Sequence, residues 1–96
     1  MDSKKKYEEL VDDGVINSLP EWFDGEVYTK GGEVTNPFSG QKYHLNADEL
    51  SMYDLIMGLT YVGDIKGWNN ELVTLHHKAC MWFRTKNSEA YMVLLD

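Results

Sequence analysis

Residues 31–58, GGEVTNPFSGQKYHLNADELSMYDLIMG, restrict the folds open to this chain more than any other stretch. Two strand-like pieces flank the turn Asn36-Pro37-Phe38-Ser39-Gly40, where proline fixes φ for a turn position and glycine lets the backbone reverse. They lead straight into a helix that Asn46 can cap, with Glu49 three residues later to complete a capping box. Within that helix Leu50, Met52, Tyr53, Leu55, Ile56, Met57, Leu59, Tyr61 and Val62 leave little polar surface. A helix apolar on nearly all sides is central in its fold or covered by another molecule, so residues 47–62 are also the candidate surface for a homo-oligomer. Gly63 is the expected end of the helix, with residues 63–69 as a loop.

The flanking sequence completes an α+β reading. Val27-Tyr28-Thr29 and Glu33-Val34-Thr35, separated by Lys30-Gly31-Gly32, carry a hairpin signal, so residues 26–45 are expected as a three-stranded antiparallel meander. Upstream, Tyr7, Leu10, Val11 and Val15 recur at helical spacing among acids, predicting a short amphipathic helix within residues 1–18. Pro20 to Gly25 reads as one turn presenting Trp22 and Phe23. Asn69 or Asn70 can start a second main helix, in which Leu72, Leu75, His76, Ala79, Trp82 and Phe83 share a face. Residues 90–95 are apolar and form either a terminal helix that Asn87 or Ser88 can cap, the favoured reading, or a last strand. The expectation is one domain over residues 1–96: a three-stranded meander packed with two main helices and short N- and C-terminal ones.

Charge narrows the partners. The 96 residues carry a net charge of -7, and eight of the acids fall between Met1 and Glu26, whereas acids and bases balance from Asp64 onward. Such a field repels phosphate backbones and attracts basic protein surfaces, which argues against direct nucleic-acid binding. The longest apolar stretch, residues 52–62, is far short of the roughly 20 residues that span a bilayer, and no apolar run follows Lys4 to Lys6, so neither a membrane span nor a secretory leader is expected. A single cysteine, Cys80, excludes an internal disulfide and suits a reducing cytoplasm.

No motif for catalysis emerges. His76, His77 and Cys80 are the one group of soft ligands, and His76 with Cys80 at i, i+4 supplies two metal ligands where a site needs three or four. Met81, Trp82 and Phe83 beside Cys80 predict apolar burial, which raises a thiol pKa and makes it inert. Gly31-Gly32 lacks the Lys-Ser/Thr of a phosphate-binding loop. The sequence thus predicts no catalytic residue, no metal and no cofactor. Its aromatic residues in turns, Trp22, Phe23, Phe38 and Trp68, are the candidate anchors for a protein partner, with Asp12 and Asp13 as steering charges.

At Leu19-Pro20-Glu21-Trp22-Phe23, residues 35–40 (TNPFSG), residues 49–54 (ELSMYD) with Ile56-Met57-Gly58, and Trp82-Phe83-Arg84 with residues 90–96, the chain resembles a group of small uncharacterised proteins of T4-like marine cyanophages. The resemblance covers roughly residues 19–62 and 82–96. It implies expression in the cytoplasm of an infected cyanobacterium and brings no catalytic residues with it. The expected function is a small acidic interaction protein that binds and modulates a host or phage protein, with a virion component or assembly factor, then a small-ligand or metal binder, as alternatives.

Overall fold

The structure is a computed structural model that describes residues 19–95. The helix expected within residues 1–18, with Asp12 and Asp13, lies outside the described residues. Strands β1 (Gly32–Thr35) and β2 (Lys42–Leu45) are followed by helices α1 (Ala47–Lys66), α2 (Asn70–Lys86) and α3 (Ser88–Leu94).

The two strands pair antiparallel with Val34 opposite Tyr43 and Gly32 opposite Leu45. Leu45 is buried, while Val34 and Tyr43 are half-buried against the core. The expected third strand is absent: residues 26–30 are irregular and Val27 is exposed. The backbone N–H of Tyr28, which a ladder would have used, donates instead to Ser51 Oγ on α1 at 2.9 Å. Gly31 then passes so close to the Leu45 carbonyl that a Cβ there would collide with it. Upstream, the Phe23 N–H donates to the Pro20 carbonyl at 3.0 Å, closing the expected turn, and Leu19, Trp22 and Phe23 pack against the core.

Helix α1 starts where the sequence places it. Asn46 Oδ1 accepts from the Glu49 N–H at 2.8 Å and Glu49 Oε1 accepts from the Asn46 N–H at 3.0 Å. The other Glu49 oxygen accepts from Asn87 Nδ2 at 3.1 Å, and Asn87 Oδ1 caps α3 by accepting from the Ala90 N–H. One nearly buried carboxylate thus joins the starts of two helices. The helix does not end at Gly63. It runs to Lys66 and stops at Gly67, whose φ of +97° suits only glycine. Gly63 serves packing instead: the Trp68 indole lies where its Cβ would stand.

The core joins Leu45, Met52, Tyr53, Ile56, Ala79, Phe83, Ala90 and Leu94. Phe83 is wholly buried, worth about 2–3 kcal/mol, and its ring lies 6.2 Å from that of Tyr53. Buried apolar side chains lie on α1 up to Ile56 and on α2 from Ala79 onward. Beyond those positions the two helices continue as a hairpin whose two broad faces carry partly exposed apolar residues.

Candidate functional site

Two of the four aromatic residues singled out in the sequence converge on one groove. A cavity of about 440 Å³ has Ile56 and Leu94 in its lining, with Phe38, Met57, Trp68 and Tyr91 around them. It runs into a second of about 450 Å³ that shares Trp68, His76, Cys80 and Tyr91 and adds Val73. Trp22 and Phe23 line neither, because their turn packs on the body of the fold.

Asn36 places Phe38. Its Oδ1 accepts from the N–H groups of Phe38 and Ser39 at 2.8 and 3.2 Å, while its Nδ2 donates to the Val93 carbonyl of α3 at 2.9 Å. The backbone closes the same turn, with Asn36 N–H to Gln41 O and Gly40 N–H to Asn36 O. The loop is therefore tied to α3, and Phe38 stands 97% exposed at the rim. An apolar ring so exposed gains nothing for the fold by burial. Trp68 reaches the groove by folding back over Gly63, and it meets the His76 ring edge-on at 5.1 Å between centroids. It remains 42% exposed.

Two polar side chains of the groove, Thr60 and His76, engage one another. Thr60 Oγ1 donates its one hydrogen to the Ile56 carbonyl at 2.9 Å, so in its 3.1 Å contact with His76 Nε2 the imidazole is the donor. Nδ1 is left as acceptor. Cys80 Sγ lies 3.8 Å from Nδ1 and 3.9 Å from Nε2, against the ring rather than along one lone pair, and that contact is weak. Burial, with a smaller contribution from His77, holds His76 below its ordinary pKa, and burial pushes the Cys80 thiol up. Both shifts favour a neutral thiol beside a neutral imidazole, the opposite of the thiolate–imidazolium pair a nucleophile needs.

Among the described residues no group of three or more His, Cys, Asp or Glu is arranged to hold a metal ion, and no helix is long and apolar enough to cross a membrane. His44 stands exposed on β2 and His77 on α2. What the groove offers is shape and apolar contact. The sequence singled out Phe38 and Trp68 from their turn positions and did not single out Met57 and Tyr91, which line the same groove; Tyr91 also lies under the Arg84 guanidinium at 5.8 Å. Compared with protein-family models, curated proteins and solved structures, the chain matches none.

Proposed function

We propose that this chain is an interaction protein that binds a host or phage protein and modulates it, seating a large apolar side chain from a basic segment of that partner between Phe38 and Trp68. The observation that carries the reading is the meeting of these two exposed aromatics, from separate loops, at one groove. Interface energy concentrates in such anchors, and the net charge of -7 favours a basic partner and speeds its encounter. The host or phage setting rests on the resemblance of the sequence. A second reading, self-association as a virion or assembly component, is favoured by Tyr61 and Ile65, 68% and 61% exposed along the outer side of α1.

Affinity capture with tagged protein from lysate of the producing cell, at low and moderate salt, tests this directly. Phe38→Ala removes a ring that the fold does not bury, so its stability should match that of the parent chain. We expect one stoichiometric partner, recovered about tenfold less by Phe38→Ala, which corresponds to about 1.4 kcal/mol at an anchor. Equal recovery by Phe38→Ala and Met57→Ala would overturn the groove as the binding site. A dimeric mass that Tyr61→Glu reduces to that of the monomer would move the weight to self-association.

A further inference from the structure

The face of the α1–α2 hairpin opposite the Phe38–Trp68 groove carries a larger cavity, about 710 Å³, lined by Val62 and Lys66 of α1 and Leu72, Leu75 and Lys78 of α2, with Glu71 at one side. At 3.6 residues per turn, positions 71, 75 and 78 stand across the helix from 73, 76 and 80, so the two cavities occupy opposite faces of the hairpin. Toward the start of α1 the described chain covers this face itself: the Tyr28 N–H is bonded to Ser51, and one turn on the Phe23 ring and Leu55 both approach Gly25. Two turns beyond Leu55, on the same side of the helix, Val62 is 41% exposed.

The lining divides into an aliphatic floor and a donor-rich edge. Val62, Leu72 and Leu75 make the floor, and one lysine from each helix stands beside it. Both lysines are exposed, and among the described residues neither has an ion pair. Asn69 Oδ1 is spent on the Leu72 N–H at 2.8 Å, which leaves its amide N–H₂ as a further donor at the same edge. The net charge of -7 does not cancel this local excess. From Asp64 onward acids and bases are equal in number, and at physiological ionic strength exposed charges more than about 8 Å away are largely screened.

We propose that this face binds an anionic amphiphile, an aliphatic chain ending in a single carboxylate, with the chain laid over Val62, Leu72 and Leu75 and the head held by Lys66 and Lys78. The volume is that of a small-molecule site, and the pairing of an apolar floor with a few cationic groups matches both ends of such a molecule. The long lysine stems cover apolar surface while their ammonium groups reach the head. Glu71 is the one acid in the lining, so a head with several charges would meet a repulsion that a monoanion largely escapes.

Two-dimensional NMR of the isotope-labelled full chain, titrated with decanoate below its micelle concentration, tests the proposal. We expect saturable shifts at Val62, Leu72 and Leu75 and none at Phe38. Decyltrimethylammonium, with the same tail and the opposite head, should bind at least about tenfold more weakly, as should decanoate to the Lys66→Glu, Lys78→Glu double variant, since each reversal turns attraction into repulsion. Hexanoate, four methylenes shorter, should also lose at least about tenfold. Phe38→Ala should bind decanoate as the parent chain does, which separates this site from partner binding on the other face. Equal binding of the cationic tail, or decanoate shifts that are absent or confined to the Phe38–Trp68 groove, would overturn the proposal. So would shielding of Val62, Leu72 and Leu75 from a soluble paramagnetic probe in the free chain: the face would then be covered already, by the chain itself, or by a second copy where shielding rises with concentration.

Discussion

Two glycines of one helix have opposite reasons for being glycine. Nothing lies within 4 Å of where a Gly58 Cβ would stand, whereas Gly63 has the Trp68 indole in that space. Gly58→Ala should therefore raise stability by about 0.5–1 kcal/mol, through backbone entropy and helix propensity alone. Gly63→Ala gains the same propensity but forces the indole out, and overpacking of that kind costs about 1–3 kcal/mol, so the net effect should be a loss. Denaturant titration gives both signs, and fluorotryptophan NMR should show one of the three indole signals moving in Gly63→Ala only. A stabilised Gly63→Ala would show that Trp68 is not held where the groove needs it. The sequence suggested Gly63 as a stop because glycine ends helices by local rule, but the residue that explains it arrives five positions later and from outside the helix.

At the scale of elements, the caps were legible and the strands only partly so. Asn46, Asn69 and Asn87 each accept a backbone N–H from three residues ahead, a contact written entirely in neighbouring residues. The strand expected at residues 27–29 failed because its fate depended on a hydroxyl 23 residues away. Nor could spacing reveal that Glu49, read as half of a capping box, also holds Asn87. That second bond makes a prediction. Glu49→Ala removes the acceptor for both Asn46 N–H and Asn87 Nδ2 and should cost about 2–3 kcal/mol, the sum of a cap and a buried bond. Glu49→Gln keeps one oxygen for Asn46 but turns an amide N–H₂ towards Asn87, and should cost about half as much. No loss in Glu49→Gln, measured by denaturant unfolding, would mean that the link between helices contributes nothing.

For the whole molecule, the half-buried pair at the groove limits the pH range of stability from both sides. His76 is a base whose folded pKa lies below its ordinary 6.5, so between the two values the unfolded chain binds more protons. Its contribution is complete above about 6.5 and is lost as pH falls from there to the folded value. Cys80 is an acid raised above its ordinary 9.0, so its contribution is complete below that value and falls away above it. Unfolding of the parent chain and of His76→Gln from pH 5 to 8 should show the parent losing more stability on the acid side; identical profiles would place His76 in water. The convergence of Phe38 and Trp68 was likewise a property of the whole chain, since loops 30 residues apart meet only after α1 and α2 have folded back on one another.

The tie from Asn36 to Val93 has a kinetic consequence. With one end of its amide on the Phe38 and Ser39 N–H groups and the other on α3, Asn36 leaves the Phe38 backbone little left to order on docking. Only the ring torsions remain to be frozen, about 0.5–1.5 kcal/mol. An arriving segment would meet a wall already standing, so its rate of capture would follow the frequency of encounter, and the lifetime of the complex would follow the fit of a single side chain.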